Sequence, residues 1–529
     1  MKYLLSAFLS ASFLFSFSQT VRSTIVEDPK QIQHTVKWAF LETTEYSDGD
    51  NMIRVESNRD NSHQLGYVAK MSTIKHNIIL HKFDANRNEI VTNKLENNQQ
   101  VFGPIQTKSA EFAHRLLLFY FRYDDKDSLR LYVSEINRKT LELVNTQFLY
   151  SYQQENVGLF KIGKATQHNP FIRISPDSSK LLLAYQNNKG ELFTAVFGDQ
   201  FNMLRQRVFK NNVLGESDIT DAVVENSGNA ELVVSLPETF FSTVPLKGII
   251  IQNLDNKEKY QEFGAGNADG ALLNCHIRCA KDNSKVYVFG DYAGENASAG
   301  SWLAEVVSQN LKVGRPSLFP YPDDLKEKVF KIGFGVKRHG NYDILDINYN
   351  LVEFENGSLA LCGHPVYRMD RRSSGFTSSV SMHRGAGNEI PFAGPIMVAF
   401  FDKGRIGKDY AMIPRNENLC DGSEGIYLPY QDKLVVIYND YKKNIEGELL
   451  DHGVHQSGWS YIKELSLAYA IINKTGAIQE RKLISEGVSR MNFYVTKQYR
   501  MIARNSLYIP SYSDDKKVDA YRVAMITME

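Results

Sequence analysis

The sequence has few cysteines, no excess of charge of either sign and no long apolar segment after its first residues. Four cysteines in 529 residues are too few for a disulfide-built scaffold. Basic and acidic residues number 61 each, which argues against a nucleic-acid-binding protein, since that needs a basic face. Hydrophobic residues at 43% and charged residues at 23% exclude a disordered or fibrous chain. The composition therefore indicates a large globular protein.

Short motifs of several enzyme classes are also missing. The chain contains no Gly-x-Ser-x-Gly elbow, phosphate-binding loop, dinucleotide fingerprint or His-Glu-x-x-His zinc motif. We therefore predict no cofactor. The absence of these motifs excludes no enzyme, because an active site can be assembled from distant segments of a repeat protein.

Residues 1–18 have the three regions of a secretory signal peptide. A positive start at Lys2 precedes an apolar run from Leu4 to Phe17, and Ser16 and Ser18 place small side chains at a cleavage site. The run is shorter than the roughly 20 apolar residues that a membrane-spanning helix needs. We predict an exported, soluble protein, periplasmic or extracellular, without a transmembrane segment.

One pattern recurs through the rest of the chain: a β-rich run, a polar turn and a second extended run. Seven full copies, and an eighth that stops after its first strand, begin at Asn77, Leu129, Glu191, Leu246, Ser301, Pro395, Leu465 and Ala520. A hairpin with turns such as Pro-Asp, Ser-Gly or Asn-Gly precedes each copy. Each unit is therefore predicted to have four strands, which we name a, b, c and d.

Four-stranded units repeated along a chain are typical of a β-propeller. The stretch SPDSSK at Ser175 to Lys180 resembles the turn between the inner strands of TolB-like and WD-type blades. The resemblance to the β-propeller superfamily covers nearly all of the mature chain and implies the fold, without a particular function. We predict an all-β protein with a single eight-bladed propeller over residues 34–529. Seven blades is the alternative, followed by two stacked sheets or two smaller domains.

The last unit lacks its strand d. The strand-like segment from His34 to Thr44 precedes the first unit, and we predict that it supplies the missing strand and closes the ring. Residues 19–33 would then form a linker. Such closure removes an exposed sheet edge, which proteins tolerate poorly.

The connections between strands b and c vary most in length. Because the strands of a blade are antiparallel, the b–c and d–a connections share one face of the disc. The two longest b–c connections, His364 to Gly394 and Asn439 to Glu464, belong to neighbouring units. Variable loops on a rigid scaffold usually carry binding, so we predict the binding site on this face.

Both insertions supply candidate ligand-binding side chains, although solvated loops are the simpler interpretation. Arginines dominate the first insertion, and their guanidinium groups suit carboxylate, sulfate or phosphate. The second contains two histidines near Asp451, but no third or fourth ligand is visible, so we predict no metal site. The candidates are Arg368, Arg371, Arg372, His383, Arg384, His452 and His455.

Further candidates lie on predicted inner strands, where they would line the central channel. They are Arg173, His276 and Arg278. Cys275 and Cys279 are four residues apart on one strand, about 13 Å, which is too far for a disulfide. Cys362 and Cys420 can pair in an oxidising compartment, but the sequence does not decide it.

The leading functional hypothesis is an exported, non-catalytic, monomeric propeller that presents its loop-rich face to a glycan, peptide or envelope partner. The alternative is a hydrolase or lyase acting on an anionic polysaccharide or related polymer, which needs acid and base groups above the channel. A purely structural role is third. Convergence of Arg371, His383 and His452 with an acidic residue in one pocket would favour the enzyme.

Overall fold

The structure is a computed structural model of the chain. It describes residues 21–28, 41–60, 75–84, 88–95, 108–125, 128–153, 170–186, 191–209, 218–235, 248–254, 257–263, 275–293, 298–307, 311–323, 346–370, 389–393, 395–402, 405–415, 417–418, 425–445, 465–485, 492–494, 499–503, 505–513 and 521–528. Nearly all of these residues are in β-strands, and the strands form eight antiparallel sheets.

The first strand, β1 (Val21–Asp28), belongs to the last sheet, whereas the next sixteen strands form sheets 1 to 4 in chain order. Sheet 1 contains β2 (Leu41–Asp48), β3 (Asn51–Asp60), β4 (Lys75–Phe83) and β5 (Glu89–Leu95). Sheet 2 contains β6 (Lys108–Phe112), β7 (Arg115–Asp125), β8 (Ser128–Ile136) and β9 (Leu143–Gln153). Sheet 3 contains β10 (Phe171–Ile174), β11 (Lys180–Gln186), β12 (Leu192–Gly198) and β13 (Met203–Phe209). Sheet 4 contains β14 (Asp218–Val224), β15 (Ala230–Ser235), β16 (Gly248–Leu254) and β17 (Lys257–Phe263).

Sheets 5 to 8 keep the same plan with local additions. Sheet 5 contains β18 (His276–Cys279), β19 (Val286–Ala293), β20 (Ser298–Val307) and a divided outer strand, β21 (Lys312–Val313) and β22 (Ser317–Pro320). Sheet 6 contains β23 (Asp346–Glu353), β24 (Leu359–Asp370), β25 (Glu389–Ala393), β26 (Ile396–Asp402), β27 (Arg405–Ile413) and β28 (Glu417–Asn418). Sheet 7 contains β29 (Ile426–Tyr430), β30 (Lys433–Tyr441), β31 (Leu465–Asn473) and β32 (Ile478–Ser485), with the one-turn helix α1 (Lys442–Ile445) after β30. Sheet 8 contains β33 (Asn492–Tyr494), β34 (Arg500–Ala503), β35 (Ser506–Ser513), β36 (Tyr521–Met528) and β1.

Neighbouring sheets pack face to face in chain order. Seven hydrophobic clusters in the described part of the chain join sheet 1 to sheet 2 and continue, pair by pair, to sheets 7 and 8. Four-stranded antiparallel sheets stacked in this way are the blades of a β-propeller. The chain is therefore an all-β protein with a single propeller, as the repeat pattern predicted. Each of the eight predicted repeat segments supplies a strand to a different sheet, namely β4, β8, β12, β16, β20, β26, β31 and β36.

Packing on both faces explains the continuous apolar runs of the inner strands. In β11, Leu181 and Leu183 face sheet 2, whereas Leu182 and Ala184 face sheet 4. Successive side chains of a strand point to opposite faces, so a sheet between two others needs apolar residues at every position. Trp302 in sheet 5 is fully buried between sheets 4 and 5. These interfaces hold the propeller together.

The Ser175 to Lys180 stretch forms the predicted turn between the two inner strands of sheet 3. The amide of Ser175 donates to the carbonyl of Lys180 at 2.9 Å, which closes the turn. The Asp177 carboxylate accepts from the Ser175 hydroxyl at 2.7 Å and from the Ser179 amide at 2.9 Å. Ser178 takes a φ of 60°, a conformation that these hydrogen bonds hold in place.

The strand that pairs with the C-terminal strand is not the one predicted. β1 pairs antiparallel with β36 over all eight residues, from Val21 opposite Met528 to Asp28 opposite Tyr521. The predicted segment from His34 to Thr44 is described only from residue 41 onwards, and that part belongs to β2, which pairs with β3 in sheet 1. The assignment of this segment to the last blade is therefore wrong. The expected linker over residues 19–33 contains β1.

Within the described residues, no helix is long and apolar enough to cross a membrane. The signal peptide predicted for residues 1–18 lies outside the described residues and stays a prediction.

Candidate functional site

The b–c connection of sheet 6 is a strand extension at its base and not the loop that the sequence predicted. Residues 359–363 of β24 pair with β26, and the same strand then continues from Val366 to Asp370 in a ladder with β25. β28 adds a third strand to this ladder. Five extended residues reach about 17 Å, so the extension projects well beyond the blade. Its far end is the pair formed by Asp370 and Glu389.

Of the seven candidates in the two insertions, the structure describes only the backbone of Arg368, which lies opposite Pro391 in the extension. Six candidates fall outside the described residues: Arg371, Arg372, His383, Arg384, His452 and His455. Their roles as ligand-binding groups, and their convergence, stay predictions. The second insertion begins with the end of β30 and α1, and residues 446–464 also fall outside the described part.

Buried polar side chains gather between sheets 6 and 7, at the strand ends from which the insertions leave. Asp440 has no exposed side-chain surface and accepts hydrogen bonds from Arg481 at 3.1 Å and from Asn444 at 2.9 Å. Arg481 also donates to the Tyr438 hydroxyl at 2.8 Å and to the Pro414 carbonyl at 2.8 Å. The sequence analysis missed this cluster. Its signal is the polar pair Asn-Asp at the end of the apolar run of β30.

His364 and Arg415 lie in the same region, and each is about 1% exposed. The Tyr427 hydroxyl of sheet 7 is 3.5 Å from Nδ1 of His364. Burial, together with the positive charge of Arg415, lowers the pKa of His364 to about 3. The imidazole of His364 is therefore neutral at physiological pH.

Two of the three channel candidates are brought together by an aspartate that the sequence analysis did not select. Arg173 Nη2 donates to Oδ1 of Asp221 at 2.7 Å, and Arg173 Nε donates to the carbonyl of Ala222 at 3.1 Å. Nδ1 of His276 is 3.8 Å from Oδ2 of Asp221, which also accepts from the Ile277 amide at 3.3 Å. Sheets 3, 4 and 5 are thus linked through one carboxylate.

A β-bulge in β14 directs Asp221 into this position. The pairing between β14 and β15 shifts between Ile219 and Asp221, which leaves Thr220 as an extra residue. Asp221 consequently shares a face with Val223, which packs against sheet 5. Burial alone would raise the pKa of Asp221, but its contact with His276 and the charge of Arg173 hold this pKa below its ordinary value. The carboxylate is therefore ionised at neutral pH.

Arg278, the third channel candidate, contacts the next sheet instead. Its Nη1 donates to Oδ1 of Asn350 at 3.1 Å and also to the carbonyl of Leu351. Arg173, Asp221 and Arg278 therefore connect the inner strands of four successive sheets. These contacts explain Arg173, Asp221 and Arg278 as links between blades. The roles of Arg173, His276 and Arg278 in binding a ligand stay predictions.

Substituting Asp221 with Asn is expected to destabilise the propeller by about 1–2 kcal/mol, because the guanidinium group of Arg173 loses its ionised partner. The free energy of unfolding in urea measures this effect. Asp432→Asn is the control, because Asp432 is exposed in the turn between β29 and β30. An equal and small effect of both substitutions would contradict a linking role for Asp221.

The cysteines that the structure describes are free thiols. Cys275 and Cys279 are not bonded to each other, as their spacing on one strand predicted. Cys362 is also free and buried, and Cys420 lies outside the described residues. Burial raises the pKa of Cys275 and of Cys362. These thiols are therefore protonated and unreactive.

No protein family profile matches the chain, and no curated protein sequence matches it. Solved structures do match. The β-propeller domain of the Trilobed protease from Pyrococcus furiosus is 10% identical, with 85% of this chain and 99% of that chain covered and a TM-score of 0.34. The WD40 domain of SCAP from fission yeast is 9% identical, with 96% of this chain and 98% of that chain covered and a TM-score of 0.39.

A putative 6-phosphogluconolactonase from Bacteroides uniformis is 9% identical, with 84% of this chain and 98% of that chain covered and a TM-score of 0.35. The chain is a β-propeller protein. Its similarity to these three structures is low in identity and in TM-score, and their names describe different activities. The matches therefore carry no argument about function.

Proposed function

We propose that the protein is an exported, non-catalytic, monomeric binding or scaffold protein that presents the loop-rich face of its propeller to a glycan, peptide or envelope partner. The observation that carries this proposal is the strand extension of sheet 6, in which β24, β25 and β28 project from the b–c face. A ladder at the base of a long connection fixes where the connection emerges. Binding residues on loops are effective when a rigid scaffold positions them.

We further propose that the eight sheets form a closed ring of eight blades, sealed by β1. The pairing of β1 with β36 supports this, because it gives sheet 8 an outer strand from the other end of the chain. The seven described interfaces between consecutive sheets support the same arrangement. The eighth interface, between sheets 8 and 1, is part of the proposal.

Replacing residues 371–388 with the dipeptide Asn-Gly is expected to abolish partner binding and leave the fold intact. Asp370 and Glu389 lie directly opposite each other, so a two-residue type I′ turn can join them. The mature protein and the variant are screened against glycan arrays and envelope extracts, and melting temperatures are compared. Retention of every partner by a folded variant would contradict a binding role for the extension.

A finer variant tests the charge of the insertion. If the partner is anionic, Arg371→Ala with Arg372→Ala is expected to weaken binding and to reduce its salt dependence, because exposed charges are screened beyond about 8 Å at physiological ionic strength. Substitutions in a solvated loop, as this insertion is predicted to be, change the free energy of unfolding by no more than about 0.5 kcal/mol, so folding and binding effects separate. Calorimetry at low salt measures the affinity. Unchanged affinity in the double variant would move the anionic contact elsewhere.

The second candidate function is a hydrolase or lyase acting on an anionic polysaccharide. The proximity of the Asp221 carboxylate and the His276 imidazole in the channel wall favours it, since such pairs perform acid–base chemistry. Cleavage of such a polymer, lost in His276→Gln with the melting temperature unchanged, would establish the enzyme. The absence of cleavage over a broad panel of polymers would leave the binding protein.

A further inference from the structure

The turn between β23 and β24 in sheet 6 contains the only Asn-Gly dipeptide of the sequence, Asn356-Gly357. We propose that Asn356 is a site of spontaneous covalent modification, at which the side-chain amide closes onto the backbone as a succinimide that water then opens. The turn lies at the end of β24 away from the insertion. The inference is therefore independent of the proposed function.

The side chain of Asn356 is exposed, and two donors fix its orientation. Its Oδ1 accepts from the amide of Ser358 at 3.1 Å and from the hydroxyl of Ser358 at 2.6 Å. Because a backbone amide can only donate, the atom it contacts is the carbonyl oxygen of the side chain. Both hydrogen bonds draw electrons from Cγ, and they strengthen when an attack on Cγ places negative charge on this oxygen.

The attacking group is the backbone nitrogen of Gly357. It is joined to Cγ of Asn356 through the carbonyl carbon, Cα and Cβ of that residue, so the attack is intramolecular. Outside the adjoining residues, no atom lies within 4 Å of the position that a Cβ of Gly357 would occupy. The amide of Gly357 donates to the carbonyl of Phe354 at 3.0 Å, and this bond must open before the nitrogen loses its proton. Hydrogen bonds in exposed turns open at little cost in free energy.

The reaction consumes water and releases ammonia. The Gly357 nitrogen gives its proton to solvent and forms a bond to Cγ of Asn356, while the bond from Cγ to Nδ2 breaks and Nδ2 takes up a proton and leaves as ammonia. Water then adds to a carbonyl carbon of the ring and breaks its bond to the Gly357 nitrogen, which regains a proton. Opening at Cγ gives aspartate, and opening at the backbone carbonyl gives isoaspartate. No atom is oxidised or reduced, and the protein gains one negative charge.

The turn between β31 and β32 provides an internal comparison. Oδ1 of Asn473 accepts from the amide of Thr475 at 3.1 Å and from its hydroxyl at 2.7 Å, the same two kinds of donor that Asn356 has. The amide of Ala477 adds a third hydrogen bond at 2.9 Å. The residue after Asn473 is Lys474, whose side chain hinders the approach of its own nitrogen. Hydrogen bonding to the oxygen is therefore similar in the two turns, and the attacking residue differs.

The test is incubation of the full mature protein at physiological temperature and mildly alkaline pH, which favours loss of the amide proton. Ion-exchange chromatography separates the products by charge. Peptide mapping by mass spectrometry locates the replacement of a side-chain NH₂ by OH and distinguishes aspartate from isoaspartate. We expect Asn356 to be modified about tenfold faster than Asn473, which corresponds to about 1.4 kcal/mol in activation free energy.

The variant Lys474→Gly is expected to transfer the reaction to the second turn, because it places a glycine nitrogen after Asn473. Lys474→Ala is the matched control: it removes the same ammonium group, which lies over the ring of Phe354, but keeps a Cβ. We expect Asn473 to be modified about tenfold faster in Lys474→Gly than in Lys474→Ala. Lys474 is exposed in its turn, and melting temperatures verify that both variants fold.

An unmodified Asn356 in the parent, or equal rates at Asn356 and Asn473, would overturn the inference. Equal rates at Asn473 in the two variants would show that the glycine is not the cause, and would overturn it as well. If either variant fails to fold, the comparison of the two asparagines within the parent decides.

Discussion

Removal of residues 21–28 is expected to yield a protein that aggregates or unfolds at a markedly lower temperature. β1 is the outer strand of sheet 8, and its ladder with β36 covers eight residue pairs. At about 1 kcal/mol of net stabilisation per hydrogen bond, the loss amounts to several kcal/mol. It also exposes the edge of β36, which can then pair with another chain. Circular dichroism during heating and size-exclusion chromatography measure the two effects.

A disulfide across the two strands tests the same pairing without a deletion. Thr24 lies opposite Met525, so cysteines at these two positions are expected to bond and raise the melting temperature under oxidising conditions. The control joins Thr24→Cys with Ala524→Cys, because Ala524 lies opposite Ile25 and its side chain points to the other face. A truncated protein that remained as stable and monomeric as the parent, or equal cross-linking of both cysteine pairs, would contradict closure by β1.

The repeat pattern of the sequence predicted the propeller because strand c of a central blade, such as β12, is buried on both faces. Such strands are long and apolar, and a polar turn follows each of them, as in the residues from Leu192 to Gly198. β1 carries no such signal. Its sequence, VRSTIVED, mixes apolar and charged residues because an edge strand is covered on fewer sides. The identity of its partner, β36, some 500 residues away, depends on long-range packing that local periodicity does not encode.

From the sequence, a residue of the candidate site could be predicted only where its residue type and its position on a strand pointed to a role. Arg173 and His276 stand out in the sequence because a polar side chain on an inner strand is expected to face the channel, and the structure shows both of them beside Asp221. Asp221 was missed because a bulge at Thr220 changes the face on which it lies, and alternation cannot locate a bulge. His364 was not selected because its neighbour Tyr427 belongs to another blade. Contacts between blades require the packed structure.

Acid is expected to destabilise the parent protein more strongly than the His364→Phe variant. The unfolded chain binds a proton at His364 near pH 6.5, whereas the folded chain does so only near a pKa of about 3. Between these values the unfolded state carries one proton more, so the free energy of unfolding falls as the pH falls. The slope is about 1.4 kcal/mol per pH unit, which gives roughly 2–3 kcal/mol between pH 6.5 and 4.5.

Urea unfolding at several pH values between 7 and 4.5 measures this slope in the parent, in His364→Phe and in the control His114→Phe, whose histidine is exposed in the turn after β6. The phenylalanine can itself change the stability, but a constant offset does not alter the dependence on pH. Carboxylates contribute equally to all three proteins, so the difference in slope isolates His364. We expect the control to follow the parent and His364→Phe to show a slope smaller by about one proton. Parallel curves for the parent and His364→Phe would show that the folded protein protonates His364 as readily as the unfolded chain does, and would contradict its burial as a neutral group.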